Sequence, residues 1–120
     1  MDSNKLLSLL GLAQKAGKVK SGEFSTESEI KAGKARLVLL SEEASENTLK
    51  KFRDMCSYRG VPMHVLPVSK DELGRHIGKA MRTSCAVSDA GFAGAMLKLL
   101  ETDGSTEKPR KTKKYDEQVR

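Results

Sequence analysis

The chain has 120 residues, of which 22 are Lys or Arg and 16 are Asp or Glu, so its net charge is +6. This length fits one domain with a tail, and a domain of about 100 residues can bury enough apolar surface to need no disulfide or metal. No apolar run approaches the roughly 20 residues that cross a bilayer, so we expect no membrane partner. The charge favours contact with polyanions but does not distinguish RNA, DNA, anionic lipid and mere solubility.

The two cysteines, Cys56 and Cys85, are far apart in the sequence, form no CxxC motif and follow no secretory signal. We interpret them as reduced, buried thiols of a cytoplasmic protein, with a disulfide as the alternative. Together with His64 and His76 they show no ligand spacing, so we predict neither a metal site nor a cofactor.

The first third of the chain predicts two helices and two strands. Residues 4–16 carry leucines at helical spacing, and residues 18–21 alternate as a short exposed strand does. Residues 22–32 predict a second helix, with Phe24 as a candidate inward residue. Residues 37–40 are continuously apolar, which is typical of a strand buried on both faces.

The middle of the chain continues the alternation of helices and strands. Residues 45–59 carry an apolar stripe of helical period, and residues 63–68 predict a strand with prolines at its margins. Residues 70–77 follow a capping-box pattern, residues 84–88 form a short apolar strand, and residues 90–100 close the pattern with a helix.

This order predicts an α/β fold, a three-layer α/β/α sandwich with a mixed sheet of about four strands. We expect one domain over residues 1–101, because the apolar pattern stops there. Residues 102–120 predict a disordered basic tail, in which residues 108–114 contain five basic side chains.

No set of side chains suited to catalysis emerges from the sequence, so we predict that the protein is not an enzyme. Residues 11–18 resemble a phosphate-binding loop, but the spacing is one residue too long and Val19 replaces the magnesium-binding hydroxyl. Glu42 and Glu43 follow a strand and could be catalytic, although a solvated loop or the approach to a helix N-terminus also explains them.

Basic residues occur in four groups: Lys15, Lys18 and Lys20 at the end of the first helix, Lys31, Lys34 and Arg36 around Gly33, Arg75, Lys79 and Arg82 around Gly78, and the tail. The group around Gly33 could equally complement the C-terminus of the second helix. The segment from Arg75 to Arg82 joins a capped helix to a buried strand through Gly74 and Gly78, which predicts a loop with exposed backbone and cations.

Several spaced motifs resemble the ribosomal protein L-seven-Ae superfamily. Residues 30–44 (IKAGKARLVLLSEEA) are similar to its second helix, central strand and acidic loop. Residues 60–62 and 73–78 fall where that family has its strand-entry Gly-x-Pro and its Leu-Gly-Lys-x-x-Gly segment, with Arg75 in place of the Lys. Residues 9–19 and 87–93 resemble the bacterial YlxQ-type branch, and the likeness extends over about residues 6–100.

The resemblance implies an α/β/α sandwich that binds RNA, typically at kink-turns, which are sharply bent helical internal loops. The implied partners are ribosomal or other structured RNA, and through it the ribosome or translation factors. Two contact regions follow: the N-terminal turn of the second helix and the loop before the last strand.

At the first contact region this chain departs from the family motif Gly-x-Asn-Glu-x-x-Lys. Gly22 is kept, whereas Phe24, Ser25 and Ser28 replace the Asn, Glu and Lys. Phe24 cannot form the paired hydrogen bonds of an amide with a base edge, and Ser28 supplies no cation. We therefore expect RNA binding of looser or different specificity. Phe24 could stack on a base or pack in the core.

The acidic residues of this turn also affect whether it can bind RNA. Glu23 and Glu27 would repel an approaching phosphate. The candidate RNA contacts are Lys20, Gly22, Glu23, Phe24, Ser25, Ser28, Lys31, Lys34, Arg75, Lys79, Met81, Arg82 and Thr83. The alternative hypothesis is a protein-interaction module on the same fold that has lost specific RNA recognition.

Overall fold

A mixed four-stranded sheet lies at the centre of the protein in the computed structural model, which describes residues 3–102. Helices and strands alternate as predicted, and every predicted element is confirmed with ends that differ by at most two residues. In chain order they are α1 (Ser3–Lys15), β1 (Val19–Ser21), α2 (Glu23–Lys31), β2 (Leu37–Ser41), α3 (Glu46–Arg59), β3 (Met63–Leu66), α4 (Lys70–His76), β4 (Ser84–Val87) and α5 (Ala90–Thr102).

Local hydrogen bonds explain where two of the helices begin. The Ser45 hydroxyl accepts from the Thr48 amide at the start of α3, and the Ser69 hydroxyl accepts from the Glu72 amide at the start of α4. Each bond satisfies an amide that has no partner within its helix. At the other end of α3, Gly60 adopts a left-handed conformation with φ of 71°.

The strand order in the sheet is β1-β4-β2-β3. β2 pairs in parallel with β3, whereas β4 lies between β1 and β2 and is antiparallel to both. All residues of β2 and β4 are buried, as the continuous apolar run at residues 37–40 predicts. The prediction of a mixed sheet of about four strands is therefore confirmed.

The two faces of the sheet are covered by different helices, because side chains alternate along each strand. Leu37 and Leu39 of β2 pack in a cluster to which α1, α4 and α5 contribute. Val38 and Leu40 face the opposite way, toward α2 and α3, whose Phe52 is fully buried. These three layers confirm the α/β/α sandwich.

The structure contradicts one prediction about the core. Phe24 is not an inward residue of α2, because its side chain is 82% exposed. The buried residues of this helix are Thr26 and Ile30, which lie one turn apart on the same face. Phe24 precedes Thr26 by two residues and therefore projects about 200° around the helix axis from it. The core-packing alternative for Phe24 is thus wrong.

The C-terminal helix α5 extends to Thr102, slightly beyond the predicted end of the domain. The predicted disordered tail otherwise falls outside residues 3–102. Within that part of the chain, no helix combines the length and the apolar character needed to cross a membrane.

Both thiols are buried, as the sequence predicts, and they lie in different clusters on opposite faces of the sheet. Cys85 belongs to the cluster beneath α1 and α5, and Cys56 belongs to the cluster beneath α2 and α3. Burial raises the pKa of each thiol to about 12, because the thiolate is poorly solvated there.

We predict that neither Cys56 nor Cys85 reacts with a water-soluble disulfide reagent in the native protein at mildly alkaline pH. Both thiols should react once the protein is unfolded, since the unfolded chain restores an ordinary thiol pKa and solvent access. The measurement is the amount of thiol that the reagent releases when it reacts with the protein, with and without denaturant. Fast reaction of either cysteine in the native protein would contradict the burial described above.

Candidate nucleic-acid interface

The pairing of β1 with β4 brings the two predicted contact regions together. Ser21 at the end of β1 lies opposite Cys85 near the start of β4. One residue further, the Gly22 amide donates a hydrogen bond to the Ser84 carbonyl at 2.9 Å. Because α2 follows β1 and the loop of residues 77–83 precedes β4, the first turn of α2 adjoins that loop.

A surface cleft of about 350 Å³ lies between these two segments. Its lining comes from the first turn of α2 and from the end of the loop, and consists of Ser21, Gly22, Glu23, Phe24, Ser25, Met81, Arg82 and Thr83. Seven of these eight residues are among the candidates that the sequence supplies; Ser21 is the addition.

Gly22 gives the cleft its shape. Its backbone has φ of 95° and ψ of 157°, a conformation that is essentially restricted to glycine. A β-carbon at this position would lie 3.7 Å from Nε of Arg82, so the glycine also leaves open space beside the guanidinium. The backbone conformation at this position therefore requires the glycine that the sequence motif retains.

Arg82 is held in place by its neighbours. Its Nε donates to the Ser21 hydroxyl at 3.3 Å, and its Nη1 donates to the Met81 carbonyl at 2.7 Å. Its backbone amide donates to the Lys70 carbonyl of α4 at 3.1 Å. Arg82 thus joins the end of β1, the loop and the start of α4.

Two exposed apolar side chains line the cleft. Phe24 is 82% exposed on the α2 side, and Met81 is 51% exposed on the loop side. A ligand that covered these side chains would remove apolar surface from water, which is favourable. Phe24 thus presents apolar surface at the position where the family motif carries a hydrogen-bonding Asn.

The loop itself begins later than the sequence predicts. Gly74 and Arg75 belong to α4, which ends at His76, so the loop consists of residues 77–83. It folds back on the helix, because the Lys79 amide donates to the Gly74 carbonyl at 2.8 Å. A β-carbon on Gly74 would lie 2.9 Å from the Ala80 carbonyl oxygen, so only glycine allows this close approach.

The acidic residues of α2 are paired, which the sequence did not predict. Lys51 of α3 lies 3.0 Å from the Glu23 carboxylate and 2.6 Å from that of Glu27, and Lys31 lies 2.9 Å from Glu27. The hydrogen bonds from Lys51 and then Lys31 hold the pKa of Glu27 below its ordinary value. The expected repulsion of phosphate by Glu23 and Glu27 is therefore largely neutralised.

Lys51 is the functional candidate that sequence reasoning missed. Its position on the polar side of α3 was evident from the apolar period, but nothing local connects it with residues 23 and 27. The contact depends on how α2 and α3 pack side by side on the sheet.

Several predicted contacts lie outside the cleft. Lys31 and Lys34 are at the far end of α2, about 12 Å from its first residue at 1.5 Å per residue. The others are exposed and do not line the cleft; they lie on β1, α2, α4 and the loop, and are Lys20, Ser28, Arg75 and Lys79.

Metal ligands do not converge in the described part of the chain. Within residues 3–102, no group of three or more His, Cys, Asp or Glu side chains is placed to hold a metal ion.

We predict that Gly74→Ala lowers the free energy of unfolding by about 1–3 kcal/mol, because the added methyl group forces the backbone of Ala80 away from α4. Gly94→Ala is the matched control, since Gly94 is also helical but has open space around it. This control should raise the free energy of unfolding by about 0.5–1 kcal/mol. Urea unfolding measures both, and equal effects of the two substitutions would refute the close contact.

We also predict that Lys51→Gln raises the pKa of Glu27 toward its ordinary value of 4.5. The ion pair of Lys51 with Glu27 stabilises the fold at pH values above the ordinary pKa of 4.5. This stabilisation is lost as the pH falls through the lowered pKa that Glu27 has in the folded protein. Lys50→Gln is the control, because Lys50 pairs with Asp54 instead. An NMR titration of the Glu27 carboxyl carbon gives the midpoints, and an unchanged Glu27 midpoint in Lys51→Gln would contradict the pairing.

Comparisons with known proteins agree with this fold and its motifs. The family model described as the ribosomal protein L7Ae/L30e/S12e/Gadd45 family matches residues 4–96. The chain is 50% identical over 93 residues to the RNA-binding protein YlxQ of Bacillus subtilis, covering 78% of this chain and 92% of that protein. It is 41% identical over 97 residues to the RNA-binding protein YlxQ of Enterococcus faecium, covering 81% and 92%.

Solved structures give the same result. A Bacillus halodurans protein of unknown function superposes with a TM-score of 0.77 at 38% identity, covering 81% of this chain and 97% of that one. A Giardia lamblia 15.5 kD RNA-binding protein superposes with a TM-score of 0.73 at 22% identity, covering 83% and 88%, which supports the fold alone. The resemblance drawn from the sequence is confirmed, and the chain belongs to the ribosomal protein L7Ae/L30e/S12e/Gadd45 family.

Proposed function

We propose that this chain is a cytoplasmic RNA-binding protein, and not an enzyme, that holds structured RNA in the cleft between α2 and the loop of residues 77–83. The observation that carries the proposal is the exposed pair Phe24 and Met81 beside the anchored Arg82. Apolar surface next to a cation suits a base together with its phosphate. The relatives named RNA-binding protein YlxQ support this assignment.

Phe24 provides a stacking surface for an unpaired base. An aromatic face accepts any base, because stacking needs no particular pattern of donors and acceptors. Base-edge discrimination of the family kind would instead need the amide that Phe24 replaces. We therefore propose that the chain recognises unpaired bases in a structured RNA, without preference for a standard kink-turn.

Arg82 is the proposed phosphate contact. Two of its N–H groups are used within the protein, by the Ser21 hydroxyl and the Met81 carbonyl, and its other donors remain for an anion. Lys79 lies in the same loop and is exposed, so it adds charge beside this contact. An arginine held in one orientation loses little side-chain entropy when it binds.

Ribosomal RNA is the partner we favour among structured RNAs. The chain is 29% identical over 91 residues to the large ribosomal subunit protein eL8 of Cenarchaeum symbiosum, covering 75% of this chain and 71% of that protein. We propose an association with the ribosome or with translation factors on this basis. Residues 1–101 would form the RNA-binding domain, and the basic residues 108–114 of the tail would add attraction that is independent of RNA sequence.

We predict that Phe24→Ala weakens binding to a hairpin with an internal loop of unpaired bases by about 1–3 kcal/mol, the usual effect of losing one base stack. Phe24→Tyr should keep the affinity because it keeps the ring. Leu12→Ala is the control, since Leu12 is 55% exposed on α1 and lies outside the cleft. Fluorescence anisotropy across a salt series gives the dissociation constants.

The comparison RNAs are a fully paired hairpin and a hairpin with a standard kink-turn. We expect the fully paired hairpin to bind more weakly than the looped one, and the kink-turn to show no advantage over other internal loops. Equal affinity of Phe24→Ala and the unsubstituted protein for all three RNAs would overturn the cleft as the binding site. In that case, a partner protein retained on the Phe24 surface after nuclease treatment would identify the protein-interaction alternative.

A further inference from the structure

A second basic surface lies at the opposite end of the sheet from the cleft. At that end α1, α2 and α3 finish, and β1 and β2 begin. Besides Lys31, which pairs with Glu27, five exposed cations are found there. We refer to these five as the basic end: Lys15, Lys18, Lys34, Arg36 and Arg59. The length of β2, five residues, separates this end from the cleft end by about 17 Å.

Backbone contacts fix the positions of these cations. The Lys18 carbonyl accepts from the Ser88 amide at 2.8 Å, and the Arg36 amide donates to the Val87 carbonyl at 2.7 Å. Lys18 and Arg36 therefore flank the end of β4, about 10 Å apart at two strand spacings. On the far side, Nη1 of Arg59 donates to the Lys31 carbonyl at 3.2 Å and joins the ends of α2 and α3.

The charge of the basic end is not neutralised within the described part of the chain. None of its five cations forms an ion pair within residues 3–102. Two carboxylates lie nearby: Glu29 accepts from the Ser88 hydroxyl at 2.5 Å, and Asp89 accepts from the Phe92 amide at 2.9 Å. These neutral donors do not cancel the charge of a carboxylate. Even with both carboxylates and about −0.5 elementary charge from each of the three helix C-termini, the five cations leave a positive excess.

Tyr58 gives this surface an aromatic face. It lies in the last turn of α3 next to Arg59, and its side chain is 86% exposed. A protein partner would need an apolar patch that can be buried at the centre of an interface. Separate cations with a single exposed ring are instead typical of surfaces that bind a nucleic-acid strand through its phosphates and one stacked base.

We propose that the basic end binds the phosphate backbone of a second RNA segment, independently of the cleft. Tyr58 stacks on an unpaired base of that segment, and Lys18, Lys34 and Arg36 contact its phosphates. One chain thereby holds two RNA segments at opposite ends of its sheet. This assignment gives Lys34 a role that does not involve the cleft.

The test uses the full chain carrying Phe24→Ala, so that the stacking ring of the cleft is absent from every protein compared. The probe is a labelled single-stranded oligouridine. The variant adds three substitutions at the basic end, namely Lys18→Gln, Lys34→Gln and Arg36→Gln. The matched control removes the same charge from other exposed positions by Lys50→Gln, Arg53→Gln and Lys98→Gln.

We expect the basic-end variant to bind oligouridine about tenfold or more weakly at low salt. The slope of log affinity against log salt should also be shallower by about 2, since each lost phosphate contact removes about 0.7 for a single strand. The control should change affinity by about twofold at most, because exposed charges far from the strand are screened. Equal losses in the two variants would overturn the proposal, since net charge alone would then explain them.

A second substitution tests the aromatic contact. Tyr58→Ala in the same Phe24→Ala background should weaken oligouridine binding at least about fivefold, and Tyr58→Phe should not. Unchanged affinity in Tyr58→Ala would contradict the stacking role. Thermal unfolding of each variant checks the fold. All these proteins carry the same altered cleft, so the differences between them report the basic end alone, whether or not the cleft still binds RNA through Arg82.

Discussion

The antiparallel pairing of β1 with β4 is the contact on which the arrangement of the candidate site depends. β4 is inserted between β1 and β2, so the chain must return across the sheet before it can add its last strand. The register that places Ser21 opposite Cys85 brings the end of β1 beside the start of β4. A one-residue slip of β1 along β4 would turn the buried Val19 out of its cluster and the exposed Lys20 into it. The packing of the core therefore determines the geometry of the cleft.

The charge distribution separates attraction from recognition in this protein. Around the first turns of α2, the pairing of Lys51 and Lys31 with Glu23 and Glu27 leaves little net charge. The cleft thus offers apolar surface, which acts only at short range, and the single charge of one anchored arginine. Long-range attraction of a polyanion has to come from unpaired cations elsewhere on the chain, where salt screens it. Affinity and selectivity would then respond differently to ionic strength.

The elements and the layers of this fold could be predicted from the sequence because each rests on a local pattern. The continuous apolar run at residues 37–40 identifies the buried strand β2, and Ser69 with Glu72 marks the start of α4. The orientation of Phe24 was not predictable in the same way, because α2 has few apolar residues and hence a weak helical period. The partners of Glu23 and Glu27 lie on another helix, and the sequence contains no distance between helices. The role of Gly74 likewise depends on where a later loop comes to rest.

The attachment of residues 77–83 to α4 has a consequence for the kinetics of binding. The amides of Lys79 and Arg82 are bonded to carbonyls of α4, and Gly74 lets the backbone of Ala80 rest against that helix. The loop is therefore ordered before any ligand arrives, and little backbone entropy remains to be lost on association. A preformed surface of this kind meets its ligand without a prior rearrangement, so related RNAs would differ mainly in how long they stay bound.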